Sequence, residues 1–256
     1  MARLENKVAL ITGATGGIGE ATAKRFLEEG ARVMLVGRSE KKLHETQERL
    51  NGGDAIAISV ADAADEAAIK SAVAATVDKF GGLDILFANA GTEGDLKSIT
   101  DLTVEEFQAV LNTNVIGVWL CMKHCADALR KSGSGSIIAT SSIAGAIGFP
   151  NMSPYIASKH AVCGLVKTVA LEMGPDNVRV NAVAPGPIDN RMMQSVGAQL
   201  APDAVAEIRA QVEESTGLKR YGTNEEVANL ALFLASNEAS YCTGGYYLVD
   251  GGYVAA

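Results

Sequence analysis

The fold of this chain is decided by the stretch Thr12-Gly13-Ala14-Thr15-Gly16-Gly17-Ile18-Gly19, which lies between an apolar run at 7–12 and a helical pattern at 17–29. Four glycines within eight residues let the backbone turn tightly and approach a pyrophosphate, and the start of the helix offers that anion unpaired N–H groups. We therefore predict a dinucleotide-binding loop. Its contacts are predicted to come from Gly13, Thr15, Gly16, Gly17, Ile18 and Gly19. The adenosyl cofactor of a methyltransferase is the alternative ligand.

Strand and helix patterns alternate along the rest of the chain. We predict strands at 7–12, 32–36, 55–60, 83–88, 136–140, 178–183 and 246–249, and helices at 17–29, 40–50, 65–80, 103–131, 153–173 and 224–235. Strands that are apolar along nearly their whole length are typical of a parallel sheet covered on both faces. The predicted fold is therefore α/β and Rossmann-type, a doubly wound seven-stranded parallel sheet with helices on both faces. With no proline-rich or serine-rich linker, residues 1–256 are predicted to form a single domain.

The alternation breaks at 186–221, which is irregular or helical and carries no strand pattern. Since ligands of such folds bind at the carboxyl edge of the strands, we predict that this segment is a substrate lid. The candidate substrate contacts are Ala144, Phe149, Met152, Pro187, Met192 and Met193. The alternative for the lid methionines is that they simply pack against the body of the protein. Asn224 is the predicted N-cap of the helix that follows.

Composition and charge exclude several function classes. A net charge of −8 argues against a nucleic-acid-binding surface, which needs a basic stripe. No apolar stretch reaches about 18 residues and no signal-peptide core is visible, so we expect a cytoplasmic protein that does not contact a membrane. Cys121 and Cys125 flank His124, but Cys163 and Cys242 do not supply a second ligand pair by spacing. We therefore predict no metal site.

The end of the second strand bears on the choice of dinucleotide. NAD enzymes usually carry an Asp or Glu about 20 residues past the glycine loop, where it holds the ribose 2′-hydroxyl. This chain has Gly37 followed by Arg38, and a guanidinium can bind a 2′-phosphate where a carboxylate would repel it. The residues therefore favour NADP, with NAD and a solvated surface arginine as the alternatives. Asp62, after the third strand, is placed either to accept from the adenine amino group or to form a turn.

A serine, a tyrosine and a lysine are the candidate catalytic residues. Tyr155 and Lys159 lie four apart near the start of the helix at 153–173, and Ser142 follows the fifth strand. Hydride transfer to a carbonyl builds an alkoxide that must gain a proton, which a phenol can donate. Because tyrosine ordinarily titrates near pH ~10, we expect the Lys159 ammonium and an oxidised nicotinamide to lower the pKa of Tyr155. Ser142 is expected to hydrogen-bond the substrate oxygen. Each of these residues taken singly also fits an ordinary structural role.

In combination these motifs resemble the compact form of the short-chain dehydrogenase/reductase family, over essentially the whole chain. The resemblance rests on the glycine loop at 12–19, Asn89-Ala90-Gly91, Asn114, Ser142, Tyr155-Ile156-Ala157-Ser158-Lys159 and Pro185-Gly186. It implies that Asn114 holds a water in a proton relay from Lys159. It implies further that Lys159 binds the nicotinamide ribose and that Asp62 and Ala63 contact the adenine.

The resemblance also implies the surroundings of the cofactor and the assembly. Asn89, Ala90 and Gly91 would line the cofactor cleft, and Pro185, Gly186 and Ile188 would flank the nicotinamide. Asn190 stands where the family usually places a threonine beside the carboxamide. Family members are commonly homotetramers or homodimers, whose four-helix interface would use 103–131 and 153–173.

The predicted activity is hydride transfer between NADP(H) and a ketone or secondary alcohol, with Tyr155 as the acid and base. One alternative is an NAD-dependent dehydrogenase of the same fold, including a 3-oxoacyl-thioester reductase. Another is an enoyl reductase, although such relatives place more residues between the tyrosine and the lysine. A protein that senses NADP without turnover is a third alternative, against which the complete set of Asn114, Ser142, Tyr155 and Lys159 argues.

Overall fold

The carboxyl ends of all seven strands of this molecule point the same way, because every neighbouring pair is parallel. The computed structural model describes residues 2–255. Its strands are β1 (Val8–Thr12), β2 (Arg32–Gly37), β3 (Ile56–Val60), β4 (Ile85–Ala88), β5 (Ser136–Thr140), β6 (Arg179–Pro185) and β7 (Tyr246–Val249). They form one sheet in the order β3-β2-β1-β4-β5-β6-β7. The predicted doubly wound, seven-stranded parallel sheet is thereby confirmed.

Helices cover both faces of this sheet. They are α1 (Gly17–Glu28), α2 (Glu40–Leu50), α3 (Glu66–Phe80), α4 (Val104–Leu111), α5 (Gly117–Lys131), α6 (Ser153–Met173), α7 (Arg191–Leu200), α8 (Val205–Ser215) and α9 (Asn224–Ala235). One apolar core joins α3, α5 and α6 to the sheet, and a second core on the opposite face is built around α1 and α9. None of the helices within 2–255 is both long enough and apolar enough to span a bilayer.

Local sequence explains where the elements begin and end. All five residues of β1 are buried, as expected for a central strand with a helix layer on each side. Helix α3 begins after Asp65, whose carboxylate accepts a hydrogen bond from Ala68 N, and it ends at Gly81, which has φ +85°. Phe26 of α1 is fully buried, and burial of such a side chain stabilises the fold by about 1.5–3 kcal/mol.

Two details of the helices differ from the predictions. The stretch predicted as helical at 103–131 is helical from Val104 to Lys131, but it contains a π-helical turn at Asn112–Ile116 between α4 and α5. Apolar periodicity does not reveal a single π turn, which is held by backbone bonds of a different span. The N-cap of α9 is Thr223 rather than Asn224. The Thr223 hydroxyl accepts from Glu226 N, and the Glu226 carboxylate accepts from Thr223 N, so the two form a capping box.

Candidate functional site

A cleft of about 1000 Å³ opens at the carboxyl edge of the sheet, where the chain order reverses between β1 and β4. Open α/β sheets bind their ligands at such a switch point. Predicted cofactor residues that line the cleft are Gly13, Thr15, Gly16, Gly17, Ile18, Arg38, Asp62, Ala63, Asn89, Ala90, Gly91, Tyr155, Lys159, Pro185, Gly186 and Ile188. Ser142 and the predicted substrate residues Ala144, Phe149, Met152, Pro187, Met192 and Met193 line it as well.

The glycine loop is held in a shape that only glycine permits at two positions. Gly13 has φ +62°, and a Cβ atom there would lie 2.9 Å from Ala90 Cα. A Cβ atom at Gly19 would lie 2.3 Å from Gly13 O, so Gly19 serves the packing of the loop against α1. Gly19 is not among the residues that line the cleft, although the sequence predicted a cofactor contact.

Polar contacts join this loop to the segment after β4. The Thr12 hydroxyl accepts from Asn89 N at 3.1 Å and from Ala90 N at 3.2 Å, and the Asn89 amide donates to Gly13 O at 3.3 Å. The N-cap of α1 is Gly16, and no side chain caps this end of the helix, so the first N–H groups of α1 stay available to a ligand. A cradle without side chains beside uncapped N–H groups fits a pyrophosphate.

Arg38 and Asp62 share one rim of the cleft. Arg38 is 79% exposed, and its Nη1 lies 4.0 Å from Asp62 Oδ2. Asp62 also accepts from Ala64 N at 2.9 Å, which forms a local turn. The neighbouring Ser39 is occupied as the N-cap of α2. A surface ion pair of this length contributes little to stability, so the guanidinium remains available for an anionic ligand.

Ser142, Tyr155 and Lys159 meet at the other end of the cleft. Tyr155 and Lys159 are both buried on α6, and Lys159 Nζ donates to the Thr140 carbonyl at 2.8 Å. The Ser142 hydroxyl accepts from Ala144 N at 3.2 Å and donates to Pro185 O at 3.4 Å. The end of β5 and the start of α6 thereby place a hydroxyl, a phenol and an ammonium group on one wall of the cleft.

Burial has the largest effect on the pKa values of Tyr155 and Lys159. It raises the pKa of Tyr155 to about 12; the nearby Ser142 hydroxyl opposes that rise, and the Glu93 carboxylate adds to it. Burial also lowers the pKa of Lys159 to about 8. The lowered tyrosine pKa that the sequence predicted is therefore not found in the protein by itself. The physical reason is that removing the phenol from water penalises its anion more than the surrounding groups stabilise it.

Asn114 lies behind the cleft wall and is fully buried in the π-helical turn. Its Oδ1 accepts from Thr92 N at 2.8 Å, and its Nδ2 donates to Thr92 O at 2.9 Å and to Ser158 Oγ at 3.0 Å. These bonds tie the segment after β4 to α6, which carries Tyr155 and Lys159. The water-relay role of Asn114 stays a prediction.

Several residues of the site were not found from the sequence. The cleft is also lined by Thr12, Thr92, Glu93, Thr140, Arg191, Val212 and Tyr253. A threonine that closes an otherwise apolar strand, as Thr12 does, was a usable signal. Thr140 acts through its carbonyl, which no side-chain pattern reveals. Asn190, expected near the carboxamide, is engaged as the N-cap of α7 and accepts from Met192 N and Met193 N.

A family model described as enoyl-(acyl carrier protein) reductase matches residues 13–254. A crystal structure of a short-chain type dehydrogenase/reductase from Mycobacterium marinum superposes with a TM-score of 0.91 at 35% identity, covering 99% of this chain and 97% of that one. The chain belongs to the short-chain dehydrogenase/reductase family. Membership in this family implies a nicotinamide cofactor.

Two further members of the short-chain dehydrogenase/reductase family show how closely the chain follows its relatives. Levodione reductase from Leifsonia aquatica is 37% identical over 257 residues, which cover 99% of this chain and 96% of the relative. A crystal structure of levodione reductase has a TM-score of 0.96 at 36% identity, over 99% of this chain and 100% of that one. (+)-Borneol dehydrogenase 2 from Salvia officinalis is 38% identical over 255 residues, or 98% of this chain and 90% of the relative.

Proposed function

We propose that this protein is an NADP(H)-dependent oxidoreductase that interconverts a ketone and a secondary alcohol. The observation that carries the proposal is one continuous cleft with the glycine loop at one end and Ser142, Tyr155 and Lys159 at the other. The similarity to a levodione reductase and a borneol dehydrogenase supports an alcohol–ketone pair as substrate and product.

Ser142, Tyr155 and Lys159 have separate roles in the proposed proton transfer. A bound nicotinamide supplies or takes the hydride. Tyr155 holds its proton over the whole neutral range because burial raises its pKa to about 12, so it is ready to protonate a nascent alkoxide. Ser142 offers the carbonyl oxygen a hydroxyl donor. Lys159, anchored on the Thr140 carbonyl, places a positive charge near the phenol for the reverse reaction.

NADP is proposed over NAD because of Arg38. Position 37 at the end of β2 is glycine, so no carboxylate stands there to hold a ribose 2′-hydroxyl or to repel a phosphate. The Arg38 side chain is exposed at the rim, with Lys42 also lining the cleft. Two cations at one rim favour an additional phosphate group.

The substrate end favours an apolar molecule. Its walls carry the side chains of Ile143, Ala144, Phe149, Met152, Met192, Met193, Val196, Leu200, Val212 and Tyr253. Phe149 and Tyr253 approach each other with their ring centres 6.2 Å apart. Such a lining binds a hydrocarbon body through burial, while Ser142 and Tyr155 select the oxygen.

A homotetramer or homodimer is also part of the proposal. Large apolar side chains stay exposed on the helices predicted to form the interface, including Trp119 of α5 and Leu171 of α6, which is 82% exposed. Exposed apolar groups of this kind are expected where another chain packs. Light scattering of the purified protein checks this part, and a single-chain mass would contradict it.

The decisive experiment follows nicotinamide absorbance in mixtures of purified protein with NADPH or NADH and a set of carbonyl compounds. The set contains cyclic ketones, open-chain ketones, a 3-oxoacyl thioester and an enoyl thioester. We expect ketone-dependent oxidation of NADPH, faster than that of NADH. Turnover confined to the enoyl thioester would identify an enoyl reductase, and binding of NADPH without any turnover would identify a sensing protein.

A further inference from the structure

A buried carboxylate stands at the substrate end of the cleft, and the proposed proton transfer does not pass through it. Glu93, in the segment after β4, is only 6% exposed. Its two oxygens accept from the two terminal nitrogens of Arg191, Oε1 from Nη1 at 3.1 Å and Oε2 from Nη2 at 3.2 Å. Arg191 is the first residue of α7, so this bidentate pair joins the substrate lid to the body of the protein.

Gln199 of α7 contacts the same segment. Gln199 Oε1 accepts from Leu96 N at 3.0 Å, and Gln199 Nε2 donates to Gly94 O at 3.3 Å. The Ser195 hydroxyl, one turn earlier in the helix, accepts from Gln199 Nε2 at 3.3 Å. Arg191, Ser195 and Gln199 are spaced four apart and therefore share one face of the helix.

The segment after β4 that α7 contacts has a restricted backbone conformation. Gly94 has φ +70°, and a Cβ atom there would lie 2.5 Å from Val110 Cγ2 of α4. Backbone that only glycine can adopt, pressed against a helix, is a firm anchor. Just before it, Thr92 is bonded through its N–H and its carbonyl to the buried Asn114 amide.

Other residues of the same helix line the cleft. Met192, Met193, Val196 and Leu200 all do so, and Met192 Sδ lies 3.9 Å from the Tyr155 hydroxyl. The polar face of α7 thus faces the anchor, while apolar residues cover the substrate end. The position of the apolar residues depends on the contacts that the polar face makes.

Glu93 itself is unsuited to bind a substrate. Both of its oxygens accept from the Arg191 guanidinium. Although burial alone would raise the pKa of Glu93, the hydrogen bonds that its carboxylate accepts lower it overall, so the carboxylate is ionised at neutral pH and paired. A buried carboxylate whose two oxygens are both paired with a guanidinium positions that partner rather than a ligand.

We propose that Glu93, Arg191 and Gln199 form a polar latch that holds α7 over the substrate end of the cleft and sets substrate affinity without entering the chemical step. This inference rests on the proposed ketone–alcohol activity. The three are positioning residues that act through Met192 and Met193. A released α7 would leave the apolar substrate partly in water, so the latch contributes to binding of the substrate rather than of the nicotinamide.

The test compares two latch variants, Glu93→Gln and Arg191→Gln, with the matched control Arg130→Gln. Arg130 of α5 pairs with Asp176, which follows α6, at 2.7 Å, and neither residue lines the cleft. For each latch variant we expect the ketone KM to rise about fivefold, with kcat and NADPH affinity held within about twofold. Hydrogen exchange of the α7 amides should become faster in both latch variants and stay unchanged in Arg130→Gln.

Unchanged KM together with unchanged α7 exchange in both latch variants would overturn the proposal. A lower kcat at constant KM would overturn it too, since the carboxylate would then act on Tyr155. Because the Arg191 side chain is largely exposed, Arg191→Gln should fold even where Glu93→Gln does not. Should the wild type reduce no carbonyl compound, the proposed function fails, and α7 exchange alone then decides whether the latch exists.

Discussion

The ammonium group of Lys159 lies 5.4 Å from the centre of the Tyr155 ring and donates to the Thr140 carbonyl. The lysine is thus held by the backbone of β5 while it stays within reach of the phenol ring. Both side chains are buried, and burial moves the pKa of the tyrosine up and that of the lysine down. In the protein without its cofactor, Tyr155 therefore keeps its proton at neutral pH.

Replacement of Tyr155 by Phe should remove turnover and leave nicotinamide binding nearly intact. The variant loses the hydroxyl that lies beside Met192 at the substrate end but keeps the aromatic ring next to the Lys159 ammonium. We expect kcat to fall by at least about 100-fold, as is typical when a positioned proton donor is lost. Steady-state kinetics and NADPH fluorescence titration measure the two quantities. A variant that keeps most of its activity would refute the acid/base role.

The two directions of the reaction should differ in their dependence on pH. Reduction uses protonated Tyr155, whose pKa is about 12 in the protein, so its rate should be level between about pH 6 and the Lys159 pKa of about 8. Oxidation uses the phenolate, so its rate should rise with pH over the same range, by up to about tenfold per unit. Initial rates in both directions at saturating nicotinamide check this. A level oxidation profile would mean that the bound cofactor brings the Tyr155 pKa below this range.

Replacement of Arg38 by Asp should shift the preference from NADPH towards NADH. A carboxylate at this rim repels a 2′-phosphate and can accept a hydrogen bond from a 2′-hydroxyl. The native guanidinium instead attracts a 2′-phosphate and donates hydrogen bonds to it. We expect the ratio of kcat/KM for NADPH over NADH to fall by about 100-fold. Lys42→Gln, at the same wall, is the comparison for simple loss of charge. If the ratio does not move in Arg38→Asp, the 2′-phosphate role is refuted.

Two glycines of the glycine loop should respond differently to a methyl group. A Cβ at Gly19 would meet Gly13 O at 2.3 Å, whereas the nearest atom to a Cβ at Gly16 is Gly13 O at 3.4 Å. Gly19→Ala should therefore destabilise the fold by about 1–3 kcal/mol through overpacking, while Gly16→Ala should leave the free energy of unfolding unchanged within a small margin. Chemical denaturation compares the two variants. Equal behaviour of the two variants would contradict the packing role of Gly19.

Sequence reasoning reached the fold and the residues around the cleft for a clear reason. Strand and helix periodicity can be recognised from neighbouring residues alone, and so can a glycine loop at the first strand–helix junction. The same kind of reasoning failed for the π-helical turn at Asn112–Ile116 and for the cap at Thr223, where one backbone hydrogen bond decides the outcome. Residue spacing also did not predict that burial raises the pKa of Tyr155 in the protein without its cofactor, because the degree of burial cannot be derived from spacing.

By itself the sequence determined the parallel α/β architecture, the place of the glycine loop, and the meeting of Ser142, Tyr155 and Lys159 at the carboxyl edge of the sheet. Only the tertiary structure decided that Lys159 is anchored by the Thr140 carbonyl, that burial governs both ionisations, and that Glu93 pairs with Arg191 on a distant helix. The physical reason is the separation along the chain over which each interaction acts. Periodicity and loop chemistry act between neighbours in the chain, whereas desolvation and contacts between Glu93 and Arg191, 98 residues apart, exist only once the layers have packed.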